Sequence, residues 1–311
     1  MDLRVRSLRL LIAAATLTGA GVAAGAAGES AFQALMWTAP GHEAAVLTRQ
    51  PATCLGERAN DPSVIAGRAL FNAPQLLGGQ AARAGISCAS CHSNGRRNPH
   101  FQLAGISDGP GTADVSASFF SVARSNATFD PRPIPDLAQP GRISLDPESR
   151  DLERFLHGLI VEEFSGASPA DAALGDLATF VRAVRPCADR DNEAVRLAAR
   201  IDLFRDSLRS AARATTAGDL DTAAVLAGAA RTHLGLIDER LAPGGHALLR
   251  KELLRNSRRV QAIQDGAWTA DALLDVLARF DRTLAPRLVQ AEKSSLYRPE
   301  KVQRWVAQRA R

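Results

Sequence analysis

The chain has 311 residues, a formal net charge of +5 and 46% hydrophobic residues, which is enough for real cores and suggests two domains. The positive balance is almost all arginine, since lysine occurs only at Lys251, Lys293 and Lys301. Those arginines are scattered and alternate with Asp and Glu, which reads as solvated helix faces, and an aromatic content of 5% offers little for stacking on single strands, so nucleic acid is excluded as a partner.

Arg4, Arg6 and Arg9 make a positive start, Leu8 to Leu17 is apolar, and small residues follow, with Val22-Ala23-Ala24 and Ala24-Gly25-Ala26 as A-x-A-like cleavage sites. This pattern predicts a secretory signal peptide over residues 1–28 and a periplasmic location. Residues 8–27 just reach the roughly 20 apolar residues of a bilayer span, but beyond Leu17 they are mostly Ala and Gly. A membrane partner is therefore expected only if this segment stays uncleaved. Residues 29–60 read as an N-terminal arm.

Asp61-Pro62 is an N-cap followed by proline at the first helical position, and Ile65, Ala66, Leu70 and Phe71 continue at helical spacing until Asn72-Ala73-Pro74. Next comes Cys88-Ala89-Ser90-Cys91-His92. C-x-x-C-H is the attachment signature of a c-type haem. The two thiols add across the haem vinyl groups, and His92 is placed under the iron as proximal ligand. Cys88, Cys91 and His92 are thus the expected cofactor-binding residues for one covalent haem c, with His92 as metal ligand. A redox C-x-x-C needs no adjacent His, and a four-ligand zinc site needs more Cys or His than the nearby His100 supplies.

Residues 101–150 are rich in Gly, Pro, Ser and Asp, and Pro131, Pro133, Pro135 and Pro140 preclude regular helix. A long ordered loop is uncommon unless functional, and here it is expected to wrap the distal haem face. A second helix is predicted from Ser168-Pro169, with Leu174, Leu177, Phe180, Val181 and Val184 on one face until Pro186. A short helix before the haem motif and a stronger one at the far end are the layout of a cytochrome c domain over 61–187. In that layout the two helices cross, with Gly67 allowing close approach and Phe71 and Phe180 packing nearby. Cys54 and Cys187 flank this stretch and are expected to form a disulfide in an oxidising compartment.

Gly67-Arg68-Ala69-Leu70-Phe71 and Gly85-Ile86-Ser87-Cys88-Ala89-Ser90-Cys91-His92 resemble one haem half of the bacterial di-haem cytochrome c peroxidase superfamily, which includes the methylamine-utilisation di-haem oxidases. Gly111 to Val115 through Ser121-Val122-Ala123-Arg124 is loosely similar to that family's T-P-S-L-R-N-V-A segment, and Leu152 to Phe164 with Leu174 to Arg185 to its closing helices. The resemblance covers residues 61–187. It stops short of the family's cycle, because that cycle uses two haems and this chain carries one C-x-x-C-H.

The sixth iron ligand has few candidates. No Met follows the haem motif; Met36 precedes it, with His42 close by, and His100 and His157 follow. Met or His there implies electron transfer, whereas an open iron site implies a peroxidase-like or oxidase-like enzyme, or a gas or redox sensor. Glu162 and Glu163 are acid–base candidates by residue type, and Arg96 and Arg97 are candidates for pairing a haem propionate.

From Asp189 onward Ala, Leu and Arg dominate. Four amphipathic helices are predicted: one through Leu197, Ile201, Phe204 and Leu208; a second capped by Asp219; a third through Leu249, Leu253, Val260 and Ile263; and a fourth capped by Thr269 and ended by Pro286. The tail around Val302, Trp305 and Val306 suggests a fifth. The expected fold is all-α: a cytochrome c-like haem domain with long irregular loops, then an antiparallel helical bundle over 188–311. The expected function is single-electron transfer with a periplasmic redox protein.

Overall fold

In the computed structural model, residues 32–309 are described, apart from 117–119, 122 and 147. The predicted signal segment lies outside them. Among the described residues the chain is all-α, with thirteen helices and two short two-stranded sheets. No helix there is long and apolar enough to cross a membrane.

The arm contributes α1 (Glu43–Thr48) and β1 (Arg49–Pro51). Then α2 (Pro62–Phe71) begins where the sequence said it would: the Asp61 side chain accepts from the Ser63 N–H at 2.9 Å, and Pro62 occupies the first turn. Three short helices follow, α3 (Pro74–Leu77), α4 (Gly79–Arg83) and α5 (Cys88–Cys91). Among its described residues, the proline-rich stretch holds β2 (Thr112–Ala113) paired antiparallel with β3 (Arg132–Pro133). After it come α6 (Asp151–Gly158), a π-helical turn over Leu159–Glu163, and α7 (Asp171–Ala183). The last of these starts two residues beyond Pro169 because Ala170 is still extended, at ψ 150°.

Helix α2 crosses α7 at Gly67. A Cβ added there would stand 2.0 Å from the Asp176 carbonyl oxygen and 2.7 Å from the Phe180 Cβ. Only glycine lets the two backbones meet this closely. The rings of Phe71 and Phe180 close the crossing at a centroid distance of 5.2 Å, tilted by 60°; such a pair adds roughly 0.5–1.5 kcal/mol beyond its buried area.

Residues Asn192–Ala194 form β4, which pairs antiparallel with β1 and ties the arm to the start of the C-terminal region. There follow α8 (Leu197–Thr216), α9 (Leu220–Leu241), α10 (Ala247–Gln264), α11 (Ala270–Thr283), α12 (Ala285–Ala291) and α13 (Pro299–Arg309). Asp219 and Thr269 cap α9 and α11 as predicted, accepting from Thr222 N at 3.0 Å and Ala272 N at 3.2 Å. The fourth predicted helix, α11, ends at Thr283, just before Pro286, as expected, and Pro286 opens a further helix that was not predicted. It sits in the first turn of α12, where a missing N–H costs nothing.

Helix α8 packs on α9, α11 and α2, and α10 packs on α9 and α11. The core is therefore continuous from Phe71 and Phe180 to Phe204 and Phe280, whose rings lie 4.4 Å apart. Arg68 of α2 pairs with Asp206 of α8, and Arg213 of α8 with Asp176 of α7 at 3.1 Å. A second, smaller cluster joins Phe32 and Leu47 to Leu296, Val302 and Trp305. The expected disulfide is present: Cys54 and Cys187 are bonded, with Cα atoms 5.2 Å apart.

Candidate functional site

Helix α5 is a single turn, and its sequence explains why it holds. The Ser87 hydroxyl and the Ser90 hydroxyl reciprocally satisfy each other's backbone N–H groups, a capping box around four residues. Cys88 and Cys91, three apart, fall on one face of that turn. Neither is in a disulfide. Burial pushes both thiols up to about 12, so they rest as neutral –SH groups among apolar neighbours.

His92 follows as the cap residue of α5. Its Nδ1 lies 3.1 Å from the Pro135 carbonyl oxygen. A carbonyl can only accept, so Nδ1 carries the proton and Nε2 keeps a free lone pair. The ring is densely surrounded by protein yet keeps surface towards the cavity it lines. Burial draws its pKa down to about 4, so it is a neutral imidazole, the form that ligates metals.

The loop supplying that carbonyl is itself pinned. Arg96 grips Asp136 with a bidentate pair, Nε to Oδ1 at 2.7 Å and Nη2 to Oδ2 at 2.7 Å, and its Nη1 donates to the Ala52 carbonyl at 3.0 Å. Asp136 also accepts from the Ala138 N–H at 3.0 Å. The Pro135–Asp136 stretch is thereby held against His92, and Ile134, Pro135 and Leu137 of the same loop line the cavity described next. Arg96 is spent on Asp136 and lines no part of the cavity.

Cys88, Cys91 and His92 all line a cavity of about 610 Å³. Its wall is largely apolar, with Leu77, Ile86, Ile134, Leu152, Phe155 and Leu159 among the lining residues. Phe155 is 64% exposed although it borders this cavity, an aromatic ring left without a cover. Asp114, Asp130, Asp151, Arg132 and Arg142 give the cavity its charge. Arg132 is already paired with Asp130 at 3.1 Å; neutral thiols, an oriented imidazole, an apolar slot and the Arg142 guanidinium are a donor set that fits haem c.

The expected sixth ligands lie elsewhere. His157 is on the far side of α6 from Leu152 and Phe155, and its Nε2 pairs with the Ser168 hydroxyl at 3.0 Å. His100 stacks on His42 with centroids 4.4 Å apart and borders a different cavity. Met36 is 55% exposed. Among the described residues, His92 is the only His or Met lining the cavity. Glu162 and Glu163 are held by Arg124 at 2.5 and 3.0 Å and do not line it either.

The residues that sequence reading missed are the Pro135 carbonyl, Asp136, Arg132 and Arg142. A backbone acceptor has no side-chain signal, and the arginines are two among many. The one available clue was the proline-rich run itself, too rigid and too long to be a mere connection. Compared with known proteins, the chain matches no family model, no curated protein and no solved structure.

Proposed function

We propose that this chain is an exported c-type haem protein that carries single electrons to or from a periplasmic redox partner. One haem c is attached through Cys88 and Cys91, with His92 as proximal iron ligand. Residues 61–187 form a cytochrome c-like domain similar to one haem half of the di-haem peroxidase superfamily, and residues 188–311 an antiparallel bundle docked on it. The observation that carries this reading is the convergence of both thiols and an Nδ1-protonated His92 on one apolar cavity. The haem, when bound, supplies one-electron redox chemistry at its iron. Cys88 and Cys91 would attach it, the Pro135 carbonyl would orient the proximal imidazole through Nδ1, Leu152 would help to exclude water, and Arg142 would be available to its carboxylates.

A second reading is a peroxidase-like or oxidase-like enzyme, or a gas or redox sensor, with an open iron site. The positions of Met36, His100 and His157 away from the cavity favour it.

The test is expression in a host with c-type haem maturation, followed by a haem stain on a denaturing gel. Wild type is expected to retain haem and Cys88→Ser/Cys91→Ser to lose it; no stain in the wild type sinks the proposal. Spectra with carbon monoxide then separate the two readings. Low-spin bands that ignore the gas support the carrier, and high-spin bands that shift with it support the open site.

A further inference from the structure

A second cavity, of about 350 Å³, lies on the other side of the haem-motif helix, bordered by Ala89, Ser90 and Ser93. Its opposite wall comes from α8 and α9, which contribute Arg200, Thr232, Leu236 and Arg240. Three arginines line it, Arg49, Arg200 and Arg240, and no carboxylate does. None of the three makes an ion pair among the described residues, although most arginines with a partner in reach take one, as Arg68, Arg182 and Arg250 do.

Arg240 is 9% exposed. One of its nitrogens, Nη1, donates to the Leu47 and Leu296 carbonyls at 2.7 and 2.8 Å, and its guanidinium stands 4.8 Å over the Tyr297 ring. Arg200 donates from Nη1 to Nδ1 of the buried His233 at 3.3 Å. The other donors of both groups make no hydrogen bond among the described residues. The nearby Glu239 makes no direct ion pair with either: it accepts from the Gln33 N–H at 3.2 Å, and burial pushes its pKa up to about 7 against the pull of Arg240 and Arg200. A cation held in a cavity without a direct ion pair is costly to keep. Two held side by side in a cavity, with their free donors unspent, make an anion receptor.

We propose that this cavity binds a small organic carboxylate, its anionic end between Arg200 and Arg240 and its carbon skeleton against Trp37, Val46 and Leu236. The volume sits at the small end of the roughly 300–1,000 Å³ typical of ligand sites. An apolar wall beside the guanidinium groups favours a carboxylate with a carbon chain over a bare inorganic anion. This assignment does not depend on the haem reading, since the two cavities share only Ser87.

The experiment is isothermal titration of the purified full-length protein, as isolated, with succinate, and separately with inorganic phosphate and with sodium chloride at matched ionic strength. Saturable succinate binding that exceeds both controls is the expected result. Arg200→Gln should weaken it by about tenfold or more, the loss of a charged hydrogen bond. Leu236→Trp, which fills the cavity without touching the charges, should abolish it. Arg49→Gln, at an exposed position where folding is not at risk, should weaken it by less. Absence of saturable succinate binding in the wild type overturns the proposal, as does phosphate binding more tightly than succinate. Succinate affinity unchanged in all three variants overturns it as well.

Discussion

Glu153 and Arg182 bury opposite charges against each other behind the cavity wall, each side chain 7% exposed. Arg182 donates to both carboxylate oxygens at 2.9 and 3.0 Å and to the Ser149 carbonyl at 2.9 Å. These bonds hold Glu153 below its ordinary value of 4.5. Because the folded pKa lies below the unfolded one, the pair's contribution is complete above about pH 4.5 and fades as pH falls through the folded value. Glu153→Gln should cost roughly 2–4 kcal/mol at neutral pH, because Arg182 stays buried without a counter-charge. It should also flatten the loss of stability on acidification. Urea titrations of both proteins between pH 3 and 7 check both points; equal acid slopes would refute them. At this scale the sequence was legible where chemistry is local. Cys88, Cys91 and His92 stand out by spacing, and all three line one cavity. The partners of His92 and Arg96 are set by where a distant loop lands, so neither Pro135 nor Asp136 could be read in advance.

Two glycines of the α2–α7 pair make opposite predictions at the level of helices. Gly67 has the Asp176 backbone where a Cβ would go, so Gly67→Ala should separate the helices and destabilise by about 2–3 kcal/mol or more. Gly175 sits in α7 with nothing within 4 Å of a built Cβ. Gly175→Ala should therefore stabilise by about 0.5–1 kcal/mol, through helix propensity alone. Urea midpoints decide; two shifts of the same sign would contradict the crossing geometry. Helix positions were readable here because caps and apolar spacing are local: Asp61, Asp219 and Thr269 each start the helix assigned to them. Pro286 ends α11 as read, but the new helix α12 that it opens was missed, because proline stops one helix and opens another equally well and the packing of Leu288 into the core is not visible in the sequence.

Taken whole, the molecule is held by a few long-range closures. The Cys54–Cys187 bond spans 133 residues of chain and encloses the entire α2–α7 segment. On the chain-entropy account its removal costs about 3–5 kcal/mol. Cys54→Ala/Cys187→Ala should lower the thermal midpoint while leaving the helical far-ultraviolet signal of the folded state unchanged. An unaltered midpoint would mean that β1–β4 pairing and core packing already fix those ends. This closure was anticipated from cysteine arithmetic, since the C-x-x-C-H spacing set two of the four thiols apart.

The small cluster that seats Trp305 on Phe32, with ring centroids 4.7 Å apart, also orders events in time. A chain made from its N-terminus presents Phe32 and Leu47 long before α13 exists to cover them. Until the final turns arrive, these side chains are sticky surface, open to chaperones and to wrong neighbours alike. A nonsense codon anywhere before Val302 would thus do its damage at the opposite end of the polypeptide, by leaving the arm permanently unsheltered.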